Sequence, residues 1–307
     1  MTVVKSLLLT LGAVIAALLV WGFVEPYFVN LKEEEAIIPN LPKAWENEEI
    51  AVIGDFQIGM WLDNDSIVEQ MAEKLVELNP SAVLFLGDYI YHSVDNHEKE
   101  HQRVKELIKP LTDSDIPVFA VLGNHDYDMA SQTADPNEEL AEKMKSALQE
   151  VGITVLNNES AALTHTDNGV EVGNALSESL YIVGLGAEWP ELADSSAAFA
   201  GVPDSAARLV MMHNPETFGT LPAKSAPVSV AGHTHGGQMR IPGTPGWSYT
   251  ALINDKEDDY MYGWIDDYGA TGNHLYINPG VGFSILPLRI NCPPEITLFK
   301  LRSNIGR

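Results

Sequence analysis

Three times in its first half the chain runs through a short apolar stretch and stops on a glycine followed at once by an acid or an amide. Ile50 to Ile53 ends in Gly54-Asp55-Phe56-Gln57, Ala82 to Leu86 in Gly87-Asp88, and Ile116 to Leu122 in Gly123-Asn124-His125-Asp126. Runs this short, without polar alternation, read as strands buried on both faces. Helical patterns separate them. Ser66 and Glu69 form a capping box, and Ile67, Met71, Leu75 and Leu78 give one apolar face before Asn79-Pro80 stops the helix. A second helix is expected near Arg103 to Lys109, and a third from Pro136 through Leu140, Met144 and Leu148 to Gly152. The alternation is a β-α-β-α-β unit around a parallel sheet. It sets the class as α/β and puts ligands beyond the carboxyl ends of the strands.

After Gly152 the pattern changes to short strands with few helices between them: Ile153 to Leu156, Ala161 to Thr166 and Leu180 to Val183. A mixed or antiparallel second half is expected. Two more apolar runs end in imidazoles, Leu209 to Met212 before His213, and Val228 to Ala231 before Gly232-His233-Thr234-His235-Gly236-Gly237. Ile241 to Asn273, rich in Gly, Pro and acids, reads as loop or lid, and Leu275 to Ile277 and Ile296 to Phe299 as closing strands.

Five strand ends therefore offer Asp55 with Gln57, Asp88, Asn124 with His125, His213, and His233 with His235. Any one of them could be a satisfied turn group. Together they are a set of oxygen and imidazole donors with no thiolate, which suits two borderline-hard divalent cations. The lone Cys292 excludes a disulfide within the chain and a cysteine zinc cluster. The net charge of −25 argues against affinity built on neutralising phosphate backbones, so nucleic acid is not an expected partner. Bound cations can still reverse the local field for a small phosphorylated substrate.

Ahead of these strands, Ser6 to Val24 carries no charged residue, and at ~1.5 Å per residue it nearly spans a ~30 Å hydrocarbon core. Lys5 precedes the run and Glu25 and Glu33 to Glu35 follow it, so a single-pass cell-membrane anchor with the catalytic domain outside the cytoplasm is expected. The run closes on Trp21-Gly22-Phe23-Val24 without a small-x-small cleavage pattern, which favours an anchor over a removed signal peptide. The expected organisation is an anchor at 1–25, a linker at 26–48 and a catalytic domain at 49–307.

In the order Asp55-x-Gln57, Gly87-Asp88, Gly123-Asn124-His125-Asp126, His213, Gly232-His233-x-His235, the chain resembles the calcineurin-like metallophosphoesterases. The closing stretch Leu288 to Ile296 and the anchor further resemble a membrane-anchored bacterial phosphodiesterase-like branch. The resemblance implies a four-layer α-β-β-α sandwich of two mixed sheets. It implies that Asp55, Gln57 and His235 hold a first metal and Asn124, His213 and His233 a second, bridged by Asp88. A water shared by the metals would attack phosphorus in line, His125 would protonate the leaving oxygen, and Asp126 would orient the His125 imidazole. Gln57 stands where most of the family has histidine. A harder amide oxygen there favours manganese, with magnesium, iron and zinc as alternatives.

The favoured substrate is a phosphodiester or pyrophosphate in a lipid-linked or envelope-derived molecule. A phosphomonoesterase and a non-catalytic metal-binding scaffold are the alternatives, and the presence of His125 speaks against the scaffold. His92, His97 and His101 read as solvated surface, His165 and His274 carry no motif, and Asp255 to Asp259 reads as a solvated loop. Arg240 and Arg289 read as structural ion-pair partners in so acidic a chain.

Overall fold

The computed structural model describes residues 2–91, 97–166, 169–173, 176, 178–241, 248, 261–265 and 268–304. His92, Asp255 to Asp259 and most of the loop expected at Ile241 to Asn273 lie outside the described residues.

Helix α1 (Thr2–Val24) carries no charged residue after Lys5 and from Val3 onward is exposed except at Gly22. It is long and apolar enough to cross a membrane. A turn at Glu25–Tyr27 leads into β1 (Asn30–Ile38), then β2 (Glu49–Ile53), α2 (Asp65–Leu78), β3 (Ala82–Phe85), α3 (His97–Leu107), α4 (Lys109–Thr112), β4 (Val118–Ala120), α5 (Glu138–Glu150) and β5 (Thr154–Val155). The second half supplies β6 (Glu159–Thr166), β7 (Gly169–Gly173), β8 (Leu180–Gly184), α6 (Ser195–Ala198), β9 (Arg208–Met211), β10 (Ser229–Ala231), β11 (Gly263–Ile265), β12 (Leu275–Ile277) and β13 (Glu295–Ser303).

The first sheet has the order β1-β13-β2-β3-β4-β5, with β2 through β5 parallel and β13 antiparallel to β2. The second runs β11-β12-β10-β9-β8-β6-β7, parallel from β12 to β8 and antiparallel at both ends. Because side chains alternate along a strand, the central strands of both sheets feed two cores. Ile50, Val52, Leu84 and Phe119 meet Ile182, Leu209, Met211 and Val230 between the sheets. Ala51, Ile53, Val83 and Phe85 point the other way, onto α2, α3 and α5 through Met71, Leu75, Val104 and Met144. On the far side of the second sheet, Val183, Val210 and Ile277 pack under Ala198 of α6 and Phe218. The result is the expected layered sandwich of two mixed sheets, with a thin outer layer on the second sheet.

Three expectations are corrected. The stretch 26–48 is not a simple linker, since β1 pairs in parallel with β13 along its whole length. Its inward positions include Lys32 and Glu34, which bond Tyr262 and Trp264, so polar residues hide the alternation that marks a strand. The capping box at Ser66 does not form. Helix α2 starts at Asp65 after Asn64, whose amide is drawn away to Gln57 O and Phe283 O.

His101 is the third. It is buried on the inner face of α3 rather than solvated. Burial, aided by the charges of His97, Lys143 and Lys105, pushes its pKa from 6.5 down to about 4. Between those values the folded chain binds fewer protons than the unfolded one. This contribution to stability is complete above pH 6.5 and is lost as pH falls through 6.5 toward about 4. His101→Leu is expected to remove about 2 kcal/mol of the stability loss across that window. Denaturant melts at several pH values check it, and an unchanged slope refutes it.

Candidate metal centre

The five strand ends converge. Parallel strands in register deliver Asp55 after β2, Asp88 after β3 and Asn124 after β4, while β9 and β10 deliver His213 and His233 from the second sheet. The turns are tight enough to force rare backbone. Asp55 (φ 56°), Gln57 (52°), Asp88 (55°), His233 (71°) and His235 (50°) are all left-handed. Such conformations cost roughly 1 kcal/mol or more each and collect at functional sites. Glycine is required beside them. At Gly123 a Cβ would overlap Asp88 Oδ1 and lie 2.7 Å from His213 Cε1.

Three of the donors are aimed by a second bond. His213 Nδ1 bonds Leu86 O at 2.7 Å, leaving Nε2 3.1 Å from Asn124 Oδ1, 3.3 Å from Asp88 Oδ2 and 3.2 Å from His233 Nδ1. His235 Nδ1 lies 3.3 Å from Gly282 O, and its Nε2 faces Asp55 Oδ1 at 3.8 Å. A carbonyl on one ring nitrogen is what orients an imidazole to ligate through the other. Asn124 Nδ2 donates to Met129 O at 2.9 Å, which turns its oxygen inward. Two clusters result, Asp88 with His213 and His233, and Asp55 with Asp88 and His235, the donor atoms in each lying within 4.8 Å of one another. Asp88 belongs to both.

Gln57 sits between the clusters, with Nε2 2.9 Å from Asp88 Oδ2 and 3.5 Å from His235 Nε2. Its buried Oε1 has no hydrogen-bond partner. Amide nitrogen and oxygen are interchangeable by a flip, and the flipped form would place an oxygen donor among the other ligands. The electrostatics ask for the same thing. Burial, with Asp88 nearby, raises the Asp55 pKa to about 7. Burial also opposes ionising Asp88, but His213 and His125 outweigh it and hold the carboxyl well below its usual range. Burial would lower the pKa of His213, yet Asp88 and Asp55 lift it to about 9. His235 is driven down to about 3 by burial and by Arg289. Carboxylates packed this closely without a cation repel one another, and divalent cations relieve that cost. The residues present therefore fit a pair of hard or borderline cations.

Asp126 is placed differently from expectation. Its carboxylate accepts the amides of Gly123 at 2.8 Å, Asp88 at 3.0 Å and Tyr89 at 3.0 Å, so it clamps the β3 and β4 loops to one another. An acid three residues from Gly123 can reach back to that amide, and the neighbouring loop then completes the clamp. The His125 imidazole instead stacks on Tyr91, with centroids 5.2 Å apart, and its Nε2 lies 3.9 Å from Asp88 Oδ2. Tyr91 and Trp189, which meets the His233 ring edge-on at 4.8 Å, escaped the sequence reading because neither sits in a motif. Arg289 is structural but pairs with carbonyls. Fully buried, its guanidinium donates to Cys292 O, Pro279 O and the same Gly282 O that His235 uses. Arg240 lies over the Tyr262 ring and donates to Asn291 O.

Comparison with known proteins agrees with this geometry. The calcineurin-like phosphoesterase family model matches residues 49–237. The chain is 31% identical over 229 residues to phosphodiesterase YaeI of Escherichia coli, covering 74% of this chain and 72% of that protein. It is 25% identical to the metallophosphoesterase YkuE of Bacillus subtilis, covering 92% and 88% of the two chains. It is 24% identical to the UDP-2,3-diacylglucosamine pyrophosphatase LpxG of Chlamydia trachomatis, covering 93% and 94%.

Proposed function

The chain belongs to the calcineurin-like phosphoesterase family and is a hydrolase of phosphate esters, and we propose that it is a two-cation phosphodiesterase or pyrophosphatase working at a membrane. The observation that carries this reading is the sharing of Asp88 by the two donor clusters. Asp55, Gln57 and His235 would hold one cation and Asn124, His213 and His233 the other, with Asp88 between them. Such a pair supplies a nucleophile near neutral pH by acidifying water and absorbs charge on the phosphoryl oxygens. The left-handed turns and the carbonyl bonds of His213 and His235 support a site that needs little reorganisation on substrate entry.

His125 acts at the edge of this site. Its side chain is 13% exposed, its backbone amide donates to Asp88 Oδ1 at 2.9 Å, and its ring stacks on Tyr91 beside the donor clusters. On this reading it gives a proton to the leaving oxygen. His125→Asn is expected to lower kcat by about 100-fold for a diester with an alkoxide leaving group and far less for one releasing nitrophenolate, which departs without a proton. Equal losses on both substrates would remove His125 from the acid role.

Manganese is the favoured cation because Gln57 offers an amide oxygen where an imidazole would favour zinc. Gln57→His is expected to shift metal-titrated activity toward zinc and to tighten the first site by about tenfold. Unchanged preference and affinity would refute this.

Two observations support a lipid-linked or envelope-derived substrate: the apolar α1 and the likeness to a protein named as a UDP-2,3-diacylglucosamine pyrophosphatase. On this reading α1 is a single-pass anchor and the catalytic domain lies outside the cytoplasm. The test is a metal-resolved assay of the full chain in detergent, comparing a chromogenic diester with a monoester. Faster monoester turnover would make the enzyme a phosphomonoesterase, and activity that survives chelation would end the two-cation reading.

A further inference from the structure

The end of α1 is bonded to the 288–292 segment, which lies behind the His235 loop of the candidate metal centre. Gly22 O accepts the Arg289 amide at 3.0 Å, and Ile290 and Leu288 pack where Gly22 lacks a side chain. The Glu25 carboxylate accepts the Asn291 amide at 2.9 Å and the Cys292 amide at 2.5 Å, and Cys292 Sγ reaches His235 O at 3.3 Å. A helix of 23 residues at ~1.5 Å rise spans ~35 Å, so its last turn stands at the edge of a ~30 Å hydrocarbon layer. Whatever is bonded to that turn stands at the same level.

The loops of the same centre expose apolar side chains. Trp61 is 72% exposed, Ile285 52%, Ile241 51% and Leu62 39%. Hydrogen bonds join the four into one rim. Asn64, just after Trp61-Leu62, accepts the Phe283 amide at 3.2 Å, and Gln238 holds the Ser284 amide and Leu286 O on either side of Ile285. Arg240, next to Ile241, donates its amide to Ile290 O at 2.9 Å. Ile285 is also strained, with φ 62°, a conformation a β-branched residue rarely adopts. Strain that exposes an isoleucine serves no packing purpose.

We propose that this rim, Trp61, Leu62, Ile241 and Ile285, rests in the surface of the bilayer that α1 crosses, so that the centre is presented to molecules held in the membrane. The occupant is a lipid surface because the rim is continuous with the end of the anchor, and a tryptophan is the side chain best suited to a headgroup boundary. Gln57 lies four residues before Trp61 and His235 three before Gln238, so the donors share short loops with the rim. In a chain of net charge −25, contact with a membrane has to rest on apolar insertion rather than on basic residues. The inference rests on reading α1 as an anchor and adds where the domain sits.

The test uses the full chain in phosphatidylcholine vesicles with and without brominated acyl chains. The emission of Trp61, taken as wild type minus Trp61→Phe, is expected to fall by about half in brominated lipid, as for a ring at the acyl boundary. A Trp61 emission untouched by brominated lipid but quenched by iodide would overturn the proposal, as would failure of the chain to float with the vesicles. A second arm compares hexadecyl nitrophenyl phosphate carried in the vesicles with soluble bis(nitrophenyl) phosphate. Trp61→Ser with Ile285→Ser is expected to raise the apparent KM for the lipid-borne diester about fivefold and to leave the soluble one within about twofold. Equal loss on both would overturn it. If the wild type cleaves neither diester, the proposed activity fails while the emission arm still decides the membrane contact.

Discussion

Asp88→Asn is expected to lower turnover of a chromogenic diester by on the order of 1000-fold while the protein stays folded. Asp88 is the residue that both donor clusters share. Its Oδ2 lies 2.9 Å from Gln57 Nε2 and 3.3 Å from His213 Nε2, and its Oδ1 receives the His125 amide at 2.9 Å. Asparagine keeps the shape and one acceptor oxygen but loses the charge, so the carboxylate proposed to join two cations and the field that raises the His213 pKa are lost together. The surrounding turn persists because it depends on the Asp88 amide and the Asp126 carboxylate rather than on the Asp88 side chain. Steady-state kinetics with metal analysis of the purified variant check this. An enzyme within about tenfold of wild type, binding two cations per chain, would mean that the clusters are held by something else.

Removing everything before Lys43 is expected to destroy the fold's cooperativity, and a chain starting at Trp21 is expected to retain it. The shorter piece loses β1, which pairs with β13 from Asn30 to Ile38 and buries Ala36 and Ile38 against the inter-sheet core. Lost burial and strand hydrogen bonds cost on the order of 5 kcal/mol, a large part of a typical domain's stability. The newly bared β13 edge would also invite strand pairing between chains. The longer piece keeps β1 and also Glu25, whose carboxylate holds the Asn291 and Cys292 amides behind His235. Thermal melts and size-exclusion chromatography of the two fragments decide the matter. A cooperative, monomeric Lys43 fragment melting with the longer one would show β1 to be dispensable.

Much of this protein is written locally. Uniform apolar runs ending in an acid, amide or imidazole, most of them after a Gly, are properties of a few adjacent residues, and they made the parallel strands, the seven candidate donors and the α/β class readable. Burial and periodicity are encoded residue by residue. The long apolar helix α1 was readable for the same reason, as one uncharged run. What stayed hidden depends on partners distant in the chain. Lys32 and Glu34 disguise β1 because their inward neighbours, Tyr262 and Trp264, lie more than two hundred residues away. Asn64 abandons a helix cap for Phe283, and His101 is buried by elements packed over α3.

The metal centre divides along the same line. The sequence by itself determined which atoms are available as ligands, because donor chemistry belongs to the residue type. Only the tertiary structure decided the supporting parts: Asp126 clamping three amides, Tyr91 under His125, Trp189 against His233, and Arg289 sharing a carbonyl with His235. Orientation is a matter of distance and angle between segments that meet only on folding, and no local pattern carries it. Contact between the end of α1 and the 288–292 segment behind His235 is decided in the same way, by packing at Gly22 and by two hydrogen bonds to Glu25 just after the helix.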